Sequence, residues 1–330
     1  MGTARSPSPE RLTTILKRQA DPSWGSDYEP AIKAVRGEAP NISHAFTLRA
    51  SKVPGREIHL LSEQELFAAL LGLYNPKVVG LQEQRALMPD FRAHPLHNFP
   101  GAIAGELLPL RGMIDVAERL GCINILPRVW APDPDCDGGR RDLVFPYIGD
   151  LLWAIRRDQG SYYCVNWPVK DSEIAFKRPL QTKRSSQAND QLPASLLIRY
   201  ELECAYYADA AIRTILLAAG NIDEHVRGNL RHLFLHHARK VELPDDTQEE
   251  LLARFHYCLE TGAPPSELIV RLTGAGKYSV EDCKNVLFQG IWFRKLRVDL
   301  FRPILIDRPL KPEMQDVLVR YADVFSESPC

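Results

Sequence analysis

Hydrophobic positions recur along this chain with two periods. In HLLSEQELFAALLGLYNPKVV, Leu66, Ala69, Leu70 and Leu73 fall three and four residues apart, the spacing of a buried helical stripe. Ser62 is a good N-cap, Glu65 stands three residues on as in a capping box, and Asn75-Pro76 marks the stop. A strand is expected next, from Lys77 to about Leu87. Between Phe145 and Lys170 the period becomes two. An apolar arm from Tyr147 to Arg156 meets a charged turn, Arg157-Asp158-Gln159-Gly160. The second arm, Ser161 to Val169, alternates Tyr163, Val165, Trp167 and Val169 with Cys164, Asn166, Pro168 and Lys170. The pattern predicts a β-hairpin with Asp150 near one end and Lys170 at the other.

Elsewhere the pattern is coarser. Residues 1–55 mix Ser, Pro, Gly and charge and read as a flexible arm with one short helix, Glu10 to Arg18. Arg49, Lys52 and Arg56 either meet a phosphate backbone or belong to a solvated arm. Helical spacing is expected from about Ala102 to Leu120, from Pro193 to Ala211 and from Glu224 to Lys240. Glu201 and Glu203 read as the solvent face of their helix. The histidines of EHVRGNLRHLFLHHARK read as a basic exposed face, because His232 and His236 lack a carboxylate partner at zincin spacing. Helices at Glu249–Leu259, from Pro265 and at Val280–Gln289, followed by the strand-like IWFRKLRVDLF, make a winged-helix pattern. Thr273-Gly274-Ala275-Gly276-Lys277 lacks phosphate-loop spacing and reads as a turn.

Composition narrows the class. A chain of 330 residues, 45% hydrophobic, has room for two or three small domains. A net charge of −1 excludes a uniformly basic coat and leaves room for a local phosphate-binding patch. Seven cysteines, an odd number without a CxxC pair, favour free thiols in a reducing compartment, so no structural metal is expected. No apolar run reaches the length of a membrane span and no signal-peptide core is evident; a cytoplasmic protein, bacterial on the resemblance below, is the expectation.

An acid and a lysine on one hairpin edge match nucleases of the PD-(D/E)xK type, where the carboxylate holds Mg²⁺ and the ammonium assists the water or neutralises charge on the phosphoryl oxygens. Glu65 has two compatible readings, a capping box and a second metal carboxylate. The aspartate-rich APDPDCDGGRRD lacks the EF-hand glycine and terminal glutamate and reads as a polar surface loop; Arg140 and Arg141 beside it could contact DNA. The run after Lys170, with Lys177, Arg178, Lys183 and Arg184, is a solvated connector or a DNA-binding loop beside the cleavage site.

Ser62-x-x-Glu65, then Asn75-Pro76-x-Val78-Val79 and Glu83-Gln84, resembles the opening of the TnsA family, the endonuclease subunit of heteromeric cut-and-paste transposases. Arg199-Tyr200-Glu201-Leu202-Glu203 with Tyr206-Tyr207, the strand Arg213–Leu217 and the segment Asn221 to Leu230 keep the family's order. The resemblance spans most of residues 58–235. It implies an α/β restriction-endonuclease-like (PD-(D/E)xK) core at 56–240, after the arm at 1–55, and a winged-helix-like partner-binding domain at 241–330. Glu65 and Asp150 would hold Mg²⁺, with Mn²⁺ as a substitute, and Lys170 would be the catalytic lysine. The partners implied are transposon-end DNA, a DDE transposase subunit (TnsB-like) and an AAA+ ATPase regulator (TnsC-like), with DNA contact through Lys284, Arg294, Lys295 and Arg297 as a competing use of the C-terminal domain. The chain departs from the family at Pro168, where a Gln or Glu is usual; a backbone carbonyl or Asn166 is the available substitute. An autonomous restriction-type nuclease and a catalytically inactive DNA-binding or scaffold protein are the alternatives.

Overall fold

Helix α1 (Pro9–Arg18) starts at Ser8, whose hydroxyl accepts from the Arg11 amide, and it buries Leu12 and Ile15. The computed structural model describes residues 7–40, 44–103, 105, 107–132, 139–177 and 194–328. Its chain divides into two units, residues 1–69, 77–220 and 323–330 in the first and 70–76 and 221–322 in the second. The first combines helices with small sheets, and the second is helical among the described residues apart from one isolated β-bridge, so the protein as a whole is mixed α/β.

The flexible arm expected at the N-terminus is folded in. Leu12, Ile15 and Ala31 join Ala86, Met88, Val129 and Phe145 in one core cluster. Trp24 donates its indole N–H to the Pro95 carbonyl at 2.7 Å, and the Tyr28 hydroxyl donates to the Glu83 carbonyl at 2.7 Å. These few large side chains offset the ordering entropy of a segment whose average composition is loop-like. Strands β1 (Phe46–Ala50) and β2 (Val53–Leu60) form a hairpin with an irregularity between Leu48 and Ala50. Arg56, a candidate phosphate contact, instead pairs with the fully buried Glu83 at 2.7 Å. Arg49 pairs with Glu57 at 3.0 Å.

Helix α2 (Glu63–Tyr74) leads to β3 (Val78–Glu83) and β4 (Ala86–Leu87). The single strand predicted at Lys77–Leu87 is therefore broken, because Gln84 takes a left-handed φ of 50°. The predicted helix from Ala102 to Leu120 contracts to α3 (Met113–Arg119). Gly112 sets its start: φ is 100°, and a Cβ there would stand 2.5 Å from the Pro89 carbonyl oxygen. Gly112→Ala is expected to cost about 2 kcal/mol or more, read as a lower denaturant midpoint. An unchanged midpoint would mean that the Pro89–Asp90 backbone gives way freely.

Strands β5 (Arg128–Pro132) and β6 (Arg140–Val144) pair antiparallel, and β7 (Tyr147–Ile148) pairs with β4. Residues 133–138 of the aspartate-rich loop, with three of its four aspartates, lie outside the described residues. Arg140 and Arg141 are exposed on β6. The predicted hairpin forms as β8 (Leu151–Arg156) and β9 (Tyr162–Trp167), in register from Leu151 opposite Trp167 to Arg156 opposite Tyr162. After β10 (Val169–Lys170), α4 (Glu173–Lys177) and α5 (Ala194–Ala208), the short β11 (Arg213–Thr214) runs parallel to β9 and β12 (Leu217–Ala218) parallel to β10. The main sheet has the order β11-β9-β8-β3. Leu152, Ala154 and Cys164 of the hairpin join Leu202, Tyr206 and Tyr207 of α5 in a core cluster. Trp153 and Trp167 meet edge-on at 5.3 Å, and Phe325 packs on Trp167. Residues 323–328, assigned by sequence to the C-terminal domain, thus belong to this unit: Tyr163 donates to the Phe325 carbonyl and Trp167 to that of Val324.

The second unit contains α6 (Glu224–Phe234), α7 (Asp245–Thr261), α8 (Pro265–Gly274), α9 (Val280–Trp292) and α10 (Val317–Arg320), with the last residues of α2. The boundary falls at Gly220, not at residue 240, because Asn229 of α6 donates to the Leu300 and Arg302 carbonyls and His236 bonds Asn285. His236 and His237 follow the end of α6 and are buried against Phe288 and Phe234, whereas Arg231, His232, Arg239 and Lys240 are exposed, so the basic face predicted for this stretch forms only in part. The strand expected in IWFRKLRVDLF is absent among the described residues: Ile291 and Trp292 close α9, Arg294 has φ 62°, and Val298 makes a lone bridge to Pro312. Arg294 pairs with Asp316, and Arg297 with Glu313 and Asp316, which engages both as internal partners.

Candidate active site

The capping-box spacing does more than start a helix. The Ser62 hydroxyl accepts from the Glu65 amide at 3.2 Å and donates to Glu65 Oε1 at 2.9 Å. Oε2 accepts from the Leu61 amide at 2.8 Å and from the Gln84 side chain at 2.9 Å. The carboxyl is held with only 6% of Glu65 exposed. Gln84 also donates its amide N–H to the Asp150 carbonyl at 2.9 Å. Its left-handed backbone therefore ties the Glu65 side chain to the approach to Asp150, a link no spacing rule reveals.

Asp150 sits where the hairpin ladder ends. Leu151 opposes Trp167, but the next residue across is Pro168, which has no N–H to offer. The chain then shifts: the Pro168 carbonyl accepts from the Leu217 amide at 2.8 Å and Val169 pairs with β12. Asp150 Oδ2 accepts the Val169 amide at 2.7 Å, capping the displaced strand. Pro168 thus marks a switch between ladders, and its carbonyl is already committed to the sheet.

Charge couples these residues. Burial, and then the nearby Asp150 carboxylate, push Glu65 up to about 8. Burial alone would lower Lys170, yet the attraction of Asp150, with smaller help from Tyr200 and Glu65, raises it above its ordinary value. Lys170 is an ammonium throughout the neutral range. The structure therefore brings together Glu65, Asp150 and Lys170, from α2, the start of β8 and β10.

A further carboxylate belongs here. Glu203, read by sequence as solvent-facing, is 1% exposed, and burial raises it to about 7 with Asp150 adding to the shift. It accepts from Asn166 Nδ2 at 2.9 Å. A Cβ at Gly149 would stand 3.2 Å from Glu203 Oε1, so the glycine beside Asp150 leaves room for it. Arg199 is held by the Ile148 carbonyl at 3.0 Å and over the Tyr147 ring, and its charge draws Glu203 back down. The only hint in the sequence was two acids two apart on α5, which cannot both face solvent.

Among the basic residues expected beside the site, Lys177 is exposed at the end of α4, while Arg178, Lys183 and Arg184 lie outside the described residues.

The oxygen donors suit a hard cation. Asn166 is 1% exposed and its Oδ1 is buried with no hydrogen-bond partner, an unpaired oxygen of the kind a cation-binding amide would supply. No group of three or more His, Cys, Asp or Glu side chains among the described residues is arranged to hold a metal. Mg²⁺, which takes one or two carboxylates and completes its shell with water, fits such a sparse set. Compared with known proteins, the chain matches no family model and no curated sequence.

Proposed function

We propose that the protein is a Mg²⁺-dependent DNA endonuclease subunit of a heteromeric transposase, hydrolysing one strand at each transposon end while a DDE transposase partner handles the other. The observation that carries this reading is the electrostatic coupling of Glu65, Asp150 and Lys170 at the strand switch around Pro168. The first unit would then be a restriction-endonuclease-like core and the second, with α7, α8 and α9 ahead of the Val298–Pro312 bridge, a winged-helix-like surface for an AAA+ regulator.

Asp150 would hold the metal, with Glu65 and the Asn166 amide oxygen as further donors. When bound, Mg²⁺ would lower the pKa of a coordinated water and offset charge on the scissile phosphate. Lys170, raised by Asp150, keeps its proton and so acts as a cation rather than a base. Its ammonium would stabilise the negative charge that builds on the phosphoryl oxygens as a water oxygen bonds to phosphorus and one ester P–O bond breaks, the leaving oxygen taking a proton from solvent. Asp150, tethered through Oδ2 to the Val169 amide, keeps its orientation to one strand edge.

The inactive-scaffold reading has one observation in its favour: both Glu65 oxygens already accept protein hydrogen bonds. The two separate in a nicking assay on transposon-end duplex with the partner transposase, with Mg²⁺ or EDTA, comparing wild type with Asp150→Ala. Nicking is expected only for wild type with Mg²⁺. Equal nicking by Asp150→Ala, or nicking that persists in EDTA, would overturn the assignment.

A further inference from the structure

One residue beyond Gln84, Arg85 lines a cavity shared with Asp21, Arg92, His94, His97 and Asn98. Its empty space is about 430 Å³, part of it open to solvent. Arg85 is only 6% exposed, and its guanidinium donates to the neutral Gln82 amide oxygen. Its Nε–H is buried without an acceptor, and no carboxylate among the described residues lies within ion-pair distance.

The contrast with Arg56 is instructive. That guanidinium is equally buried in the same unit, and the fold gives it the carboxylate of Glu83. Leaving a buried cation uncompensated costs several kcal/mol in general, so an exterior anion is the natural counterpart for Arg85. A second cation lines the same cavity. Arg92 reaches the Ala20 carbonyl at 3.4 Å, and its Nε–H is likewise buried without an acceptor. The one acid on the cavity wall, Asp21, is engaged by Asn98 Nδ2 at 3.1 Å. His94 is neutral at physiological pH: burial, and then Arg85 itself, push it down to about 4.

We infer that this cavity is a phosphoryl-oxyanion site, with Arg85 and Arg92 as its two cationic walls. Guanidinium forks match the oxygens of a phosphoryl group in a bidentate manner, and a tetrahedral anion accepts from two such forks at once, which a planar carboxylate does less well. The phosphoryl group belongs either to the backbone of a nucleic-acid strand or to free phosphate. The inference stands on this cavity alone and does not require the nuclease reading.

The test is titration of the full chain with inorganic phosphate at pH 7, free of divalent metal, followed by calorimetry and by ³¹P line broadening. Chloride at matched ionic strength and acetate are the controls. Saturable binding of phosphate, with weaker response to acetate, is expected. Arg92→Gln should weaken it at least roughly tenfold, the worth of one charge-assisted hydrogen bond. Arg92 is partly exposed, so this variant is expected to fold, checked by near-ultraviolet circular dichroism. Arg85→Lys, which keeps the charge but not the fork, should weaken binding as well. Displacement of phosphate by duplex DNA assigns the site to a nucleic-acid backbone, and retention in saturating duplex assigns it to free phosphate. A response no greater than that to chloride, or an unchanged affinity in a folded Arg92→Gln, would overturn the inference.

Discussion

Lys170→Met is expected to slow strand cleavage by roughly 10²–10³-fold while leaving the fold and end-DNA binding intact, the usual loss when one preorganised charge facing a developing oxyanion is removed. The size of the effect follows from where the ammonium is held. Lys170 is half-buried on β10, next to the ladder switch, and its charge is sustained by Asp150 against the cost of burial. A cation kept charged in a partly dehydrated position contributes more to a phosphoryl transition state than one in bulk water. Because its pKa is raised, the pH–rate profile below pH 9 should contain no limb that disappears in the variant. If Lys170 were the base that takes the proton from water, the wild-type rate would instead rise as this residue deprotonated. Single-turnover nicking of Lys170→Met and wild type, measured across pH 6–9 with the partner transposase, distinguishes the two roles. Equal rates would remove Lys170 from the mechanism.

Much of this site was legible in the chain. Period-two alternation located β8 and β9, and the S-x-x-E spacing located the start of α2, because backbone geometry dictates both patterns locally. Three features were not legible, and each depends on contacts remote in sequence. Gln84 adopts a positive φ that a glutamine rarely takes, stabilised by hydrogen bonds to Glu65, Asp150 and Ala31. Glu203 looks like a solvent acid until Asn166, 37 residues earlier, is seen to donate to it. Pro168 stands where β9, flanked by β8 and β11, gives way to β10, a change of ladder that spacing alone does not show. The N-terminal segment was misread for the opposite reason. Its average composition is loop-like, but burial is decided by individual side chains such as Trp24 and Tyr28. In the second unit, apolar spacing found α7, α8 and α9, and it mistook the apolar end of α9 for a strand because short apolar runs suit either element.

The metal-free protein should lose stability as pH rises from about 5 to 8.5, and Mg²⁺ should restore it most at the alkaline end. Glu65 has an ordinary value of 4.5 and is raised to about 8 in the folded chain by burial and by Asp150. Between those limits the folded state holds a proton that the unfolded state has released, so the unfolded state binds fewer protons and unfolding becomes easier as pH increases. Glu203, raised to about 7 chiefly by burial, acts with the same sign over the lower part of that window. Lys170 does not oppose the trend, since its raised value lies above the window and its contribution is lost only in strong alkali. A shift of this size at a buried carboxyl corresponds to a few kcal/mol across the whole range, which for a unit of this size is a fall of several degrees in Tm. A divalent cation replaces the retained proton, so its binding should release protons at pH 6–7 and tighten as pH approaches 8. Glu65→Gln removes the titrating group while keeping an oxygen for the Leu61 amide. Its Tm should be flatter with pH and exceed that of wild type near pH 8.5 without metal, with a weaker response to Mg²⁺. Parallel Tm–pH curves for the two proteins would show that Glu65 is already ionised in the folded chain, and the coupling to Asp150 would then carry no energetic weight.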